Sequence, residues 1–147
     1  RAQDALCDLA SFAESHKVAI GIENVWNKFL LSPLEMKQFI DEIDNPFVGS
    51  YFDVGNVLVN GYPEHWINIL GSRIKKVHFK DFKRSIGTID GFCDLLAGDV
   101  NYPAVMDAFN SIGYDDWVTA EVSPYPANNE VMLMHTSMAM DKILRRG

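Results

Sequence analysis

One histidine and three carboxylates close four short stretches that read as strands: Val18-Ala-Ile-Gly-Ile-Glu23, Gly49-Ser-Tyr-Phe-Asp53, Ile74-Lys-Lys-Val-His-Phe79 and Trp117-Val-Thr-Ala-Glu121. Side chains alternate across a strand, so Val77 and Phe79 share one face while Lys76, His78 and Lys80 share the other. Glu23, Asp53, His78 and Glu121 all fit the same inward parity. Burying carboxylates together without a counter-ion costs roughly several kcal/mol each, a cost that a bound divalent cation removes. Three carboxylates and an imidazole form a mainly hard donor set. It suits one Mn²⁺ or Mg²⁺ ion and also accommodates Co²⁺ or Zn²⁺. Each residue alone also has an ordinary reading, as a cap, a solvated acid or a hydrogen-bonded structural histidine. The joint pattern is what points to a metal.

The elements that must position these groups alternate along the chain. Apolar residues at Ala2, Leu6, Leu9, Ala10 and Ala13 predict a helix to about His16, followed by a strand over Val18–Glu23. After a loop holding Trp26, the pattern Ser32-Pro33 with Glu35 reads as a capped helix start, running to about Asp44. Strands are predicted at Val48–Asp53 and Ile74–Phe79, with a short helix between them from Pro63 to Leu70. The stretch from Asp81 to Val100 reads as a long irregular loop, and a loop of that length is usually functional or mobile. Asn101-Tyr-Pro103 then caps a helix reaching about Ile112. A strand at Trp117–Val122 and a helix over about Asn129–Leu144, with a basic end at Arg145-Arg146, complete the chain. Alternation of helices and strands implies parallel pairing, so all four strand ends, and the four candidate ligands, converge on one rim. That rim is where parallel α/β folds carry their chemistry.

The 147 residues, 48% hydrophobic and 22% charged, have the composition of one globular domain. A net charge of −7 disfavours a nucleic-acid binder. No apolar run approaches a membrane span, and no signal peptide is visible. Cys7 and Cys93 lie far apart without metal-type spacing, which fits reduced thiols in a cytoplasmic protein.

Five segments resemble the motifs of the sugar-phosphate isomerase/epimerase family, the xylose isomerase-like branch of TIM barrels. They are Gly21-Ile-Glu-Asn24, Phe52-Asp-Val-Gly-Asn56, Val77-His-Phe-Lys-Asp81, Gly98-Asp-Val-Asn101 and Thr119-Ala-Glu121. That family includes ketose 3-epimerases, the L-xylulose-5-phosphate 3-epimerase type and inosose dehydratases. The resemblance implies that the four strands are the fifth to eighth of an eight-stranded barrel, so that residues 1–147 form a C-terminal half-barrel. It also implies that Glu23, Asp53, His78 and Glu121 hold one metal ion, and that Glu23 and Glu121 form the acid/base pair. Arg84 stands at a position that contacts substrate in the family. Asn56 stands where some epimerases carry a histidine, and it argues against the three-zinc endonuclease IV branch. Ala97-Gly98 keeps one glycine of the family's usual Gly-x-Gly.

The implied chemistry is proton abstraction beside the carbonyl of a sugar or sugar phosphate, through a metal-stabilised enediolate. Arg84 and Lys80 would bind substrate oxygens or a phosphate; Lys80 reads equally as a solvated or structural lysine. Trp26 is either an apolar wall over the sugar or a packing residue. Asp81, Asp90, Asp94 and Asp99 read as loop-turn and capping residues. A lyase of the inosose-dehydratase type and a non-catalytic metal-binding half-barrel remain as alternatives. The outer strands would be unpaired edges, so the expected macromolecular partner is the missing N-terminal half or a second copy of the chain.

Overall fold

The computed structural model describes residues 1–145. Four parallel strands form one sheet in the order β1 (Ile20–Glu23), β2 (Val48–Asp53), β3 (Ile74–Phe79) and β6 (Val118–Ala120). A two-stranded antiparallel ribbon, β4 (Asp81–Phe82) with β5 (Phe92–Cys93), lies between β3 and β6 in the chain. Helices α1 (Ala2–His16), α2 (Pro33–Ile43), α3 (Pro63–Leu70), α4 (Tyr102–Ser111) and α5 (Asn129–Ile143) fill the connections. The basic end predicted for α5 falls partly on Arg146, outside the described residues.

Strand parity divides the sheet into two unlike faces. Phe52, Val77 and Phe79 point to one side and are fully buried against Met36, Ile67, Leu70, Val105 and Phe109 from the helices. The same apolar spacing that forms each helix supplies that contact: Met36, Ile40 and Ile43 recur along one stripe of α2. The opposite face carries Gly21, Tyr51, Lys76 and the candidate ligands. Burial energy therefore fixes the strand register from behind, and a one-residue slip would turn the site residues into the core.

The local signals read from the sequence act as expected at α2. The Ser32 hydroxyl accepts the Glu35 N–H at 3.2 Å, and the Glu35 carboxylate accepts the Ser32 N–H at 3.1 Å. Pro33 occupies the first turn. At α4 the Asn101 side chain accepts the Ala104 N–H.

Three boundaries differ from the sequence expectation. β1 begins at Ile20, not Val18, because Lys17 turns left-handed and the Val18 N–H closes the end of α1 onto the Ala13 carbonyl. β6 is shorter than Trp117–Val122. The Trp117 N–H is taken by the Asp116 carboxylate and its carbonyl by the Tyr114 hydroxyl, which holds Trp117 outside the ladder. The loop from Asp81 to Val100 is more ordered than its sequence suggests, since it contains the β4–β5 ribbon. Two-residue strands are too short to show a period.

Candidate metal centre

β1, β2 and β3 deliver Glu23, Asp53 and His78 to the carboxyl end of the sheet, and Glu121 follows β6 directly. The Glu121 N–H still bonds the Phe79 carbonyl at 2.9 Å, so its backbone is held by the ladder. Asp53 and His78 are register partners on neighbouring strands. Nδ1 of His78 lies 3.4 Å from Oε1 of Glu23, 3.2 Å from Oε2 of Glu121 and 3.9 Å from Oδ2 of Asp53. One potential ligand atom from each residue falls within 4.8 Å of the other three. The structure thus brings together all four groups singled out from the sequence.

Asp53 is the most constrained of the four. Its side chain is fully buried. Oδ1 accepts the Asn56 N–H at 2.7 Å, whereas Oδ2 has no hydrogen-bond partner among the described residues and points among the other donors. Burial pushes the Asp53 pKa up to about 7, with the carboxylates of Glu121 and Glu23 adding to the rise and Lys80 opposing it. Glu121 behaves oppositely. Partial burial raises its pKa, but the Lys80 ammonium at 3.0 Å outweighs this and leaves it lowered. A buried carboxylate oxygen without a donor, facing two further acids and an imidazole, is the environment a divalent cation completes. Oxygen-rich donors with one nitrogen fit such an ion.

Lys80 lies inside this arrangement rather than projecting to solvent. Its ammonium contacts Glu121, lies 3.9 Å from Asp53 Oδ2 and sits 4.4 Å above the Phe92 ring. Asn56 serves Asp53: besides its N–H bond, its side-chain amide donates to the Asn24 carbonyl at 3.0 Å. Trp26 donates its indole N–H to the Asn56 carbonyl and packs on Phe82 and Phe92, which are edge and tilted contacts at 5.4 and 5.0 Å. It packs as one of its two readings has it, and it also lines a 260 Å³ cavity with Asn24 and Asn56 that none of the four candidate ligands borders. Arg84 is placed elsewhere. Its guanidinium lies 5.5 Å over the Tyr62 ring and makes no ion pair with the four-residue cluster among the described residues.

Three contributors carried no role in the sequence reading. The buried Asn24 side chain bonds both the N–H and the carbonyl of Asp53, at 2.8 Å each, and so pins the end of β1 to the end of β2. An amide immediately after a strand-end glutamate was the available signal. The Tyr51 ring packs 4.1 Å from the His78 ring, as its same-face position two residues before Asp53 allows. Phe92 supplies the aromatic face beneath Lys80. Asp81, read as a loop-turn residue, has that role in an extended form. Its buried carboxylate accepts N–H bonds from Phe82, Leu96, Gly98 and Val100, tying both ends of the long loop together. Burial raises the Asp81 pKa against the pull of those donors. Gly98 lacks a side chain of necessity, since a Cβ there would overlap the Asp81 carboxylate.

A family model described as the xylose isomerase-like TIM barrel matches residues 1–140. The chain belongs to that family. Several solved structures superpose closely on it. One is the IOLI protein, whose crystal structure has a binding zinc atom: TM-score 0.85, 19% identity, covering 98% of this chain and 55% of that one. Another is D-psicose 3-epimerase with D-tagatose from Clostridium cellulolyticum H10: TM-score 0.82, 15% identity, covering 97% and 54%. At these identities the likeness concerns the fold. In sequence, the chain is 27% identical over 122 residues to the uncharacterised protein MJ1311 of Methanocaldococcus jannaschii, covering 79% of this chain and 41% of that protein. The chain spans about half the length of these solved relatives. No helix among the described residues is long and apolar enough to cross a membrane.

Proposed function

We propose that this chain carries the metal-binding and acid/base wall of an epimerase or isomerase acting on a sugar or sugar phosphate. The convergence of Glu23, Asp53, His78 and Glu121 around the unpartnered Oδ2 of buried Asp53 carries this reading. These four residues would hold one divalent ion, Mn²⁺ or Mg²⁺ by the hardness of the donors, with Co²⁺ or Zn²⁺ accommodated. Bound there, the ion would supply Lewis-acid polarisation of a ketose carbonyl and its neighbouring hydroxyl.

The remaining work falls to the protein's own side chains. Glu23 and Glu121 come from the two outer strands and approach His78 from opposite flanks. Lys80 keeps Glu121 ionised and oriented, which fits it to take the proton from the carbon beside the carbonyl. Glu23, on the other flank, is placed to return a proton to the opposite face, which inverts that carbon. Abstraction from C1, on the other side of the carbonyl, with return of the proton to C2 would instead interconvert ketose and aldose. Phe92, 4.4 Å from the Lys80 ammonium, would border this mouth.

In this reading the four strands are the later half of a barrel, the fifth to eighth. Its edges β1 and β6 pair with the preceding half of the same protein or with a second copy. Four strand–helix units within about half the length of the solved relatives support this arrangement.

The test is solvent deuterium incorporation beside the carbonyl of ketoses, ketose phosphates and inososes, followed by mass spectrometry. Metal-dependent incorporation, abolished by EDTA and by Glu121→Gln in a folded protein, is expected. Incorporation that survives both treatments would overturn the assignment. Loss of water from an inosose without epimerisation would redirect it to a lyase.

A further inference from the structure

Resting on the reading above, we infer that Lys80 sets which ion the centre accepts. By occupying one oxygen of Glu121 it confines that ligand to a single donor oxygen, which disfavours Ca²⁺ and keeps positions on a smaller ion open for substrate. A carboxylate has two oxygens and gives an ion one or both. Those of Glu121 are divided. Oε1 accepts the Lys80 ammonium at 3.0 Å, whereas Oε2 lies 3.2 Å from His78 Nδ1, inside the cluster. Asp53 is divided in the same way: Oδ1 accepts the Asn56 N–H at 2.7 Å, and Oδ2 faces the other donors.

Lys80 is built into this place. Its side chain is only 16% exposed, and its ammonium sits 4.4 Å above the Phe92 ring. Its backbone carbonyl accepts the Tyr102 hydroxyl at 3.3 Å. Gly55 makes room for that carbonyl, since a Cβ there would lie 2.7 Å from it. Contacts from the end of β2, from β5 and from α4 thus hold the residue against Glu121. The size of the ion then decides the consequence. Ca²⁺ takes about six to eight oxygens and fills its shell by binding carboxylates through both atoms, whereas Mg²⁺ holds a strict octahedron. Single oxygens from Asp53 and Glu121, with His78 Nδ1 and Glu23, suit the smaller shell and leave it positions for a substrate's carbonyl and hydroxyl. Charge alone does not make this choice. Three ionised carboxylates, one ammonium and one divalent ion leave the centre neutral, and removing the ammonium would tighten every divalent ion alike.

The experiment titrates Mn²⁺ and Ca²⁺ separately into the wild-type protein and Lys80→Met by calorimetry. The ratio of the two affinities cancels the common effect of charge. Water-proton relaxation of the Mn²⁺ complexes reports the exchangeable waters left on the ion. The wild-type protein should prefer Mn²⁺. Lys80→Met, which keeps an apolar stem on Phe92, should move the ratio toward Ca²⁺ by about tenfold and lower the number of exchangeable waters, because Oε1 joins the shell. A folded variant in which neither quantity moves would overturn the inference. So would a wild-type protein that takes up Ca²⁺ as tightly as Mn²⁺, a result that decides the matter even where the variant does not fold. Uptake of neither ion by the folded wild-type protein would overturn the metal reading itself.

Discussion

Asp53→Asn should make the metal-free protein more stable, although it removes a residue from the centre of the site. The amide keeps the side chain's volume and its oxygen acceptor for the Asn56 N–H, now at 2.7 Å. It eliminates the orphaned negative charge at Oδ2. A carboxyl whose pKa rises from 3.8 in the unfolded chain to about 7 in the folded one binds its proton more tightly when folded. Stability therefore falls as pH rises from 3.8, and the loss is complete above 7. Fully developed, that interval corresponds to on the order of 4 kcal/mol. Sharing of charge among Glu23, Glu121 and Lys80 reduces the part the substitution recovers, so about 2–4 kcal/mol is expected at pH 8. For a chain of this length that raises Tm by about 5–15 °C. At pH 5, where folded Asp53 already carries a proton, roughly a third of the gain should remain. Thermal melts in EDTA at the two pH values measure this. Adding Mn²⁺ should then stabilise the wild-type protein and leave the variant nearly unchanged. A variant no more stable than wild type at pH 8, or one whose gain is equal at both pH values, would refute the argument that Asp53 is held in place at a cost for an ion.

Metal affinity should fall steeply below pH 7, because the proton retained by Asp53 competes with the ion; titration calorimetry in buffers of different ionisation enthalpy should detect proton release on binding at pH 6 and less at pH 8. Asn24→Ala should weaken metal binding by about tenfold, since it unpins both backbone groups of Asp53 while leaving every proposed ligand in place; equilibrium dialysis checks this. Asp81→Ala should cost on the order of 3 kcal/mol in urea unfolding and open residues 81–100 to protease, because four backbone donors lose one acceptor. Ser32→Ala should cost about 1 kcal/mol without altering metal affinity, which separates general stability from the site.

The candidate site was legible because parallel topology turns separate strand endings into neighbours. Glu23, Asp53, His78 and Glu121 are spread over nearly a hundred positions, yet each needs only its place at a strand end and its parity to be assigned to the same rim. The bounds of β2, β3 and α3 were readable for a related reason: proline, glycine and alternation mark both ends of each. What could not be read depends on contacts whose geometry no local pattern encodes. Lys80 looks like a cation free to bind substrate until the position of Glu121, 41 residues on, is known. Arg84 sits at the expected offset from His78, but the turn that Asp99 imposes by accepting its backbone N–H at 2.7 Å accompanies a side chain laid on Tyr62. Asp81 shows the limit most plainly. The sequence offers an aspartate at the head of a glycine-containing loop, and turn chemistry explains one of its bonds, that to the Phe82 N–H. The other three come from Leu96, Gly98 and Val100, which the chain returns to it only because Gly98 has no side chain to obstruct the approach. That closed loop presents Phe92 beneath Lys80, and Lys80 in turn holds Glu121. The setting of Glu121 at the rim therefore depends on a buried carboxylate that touches none of the four proposed ligands.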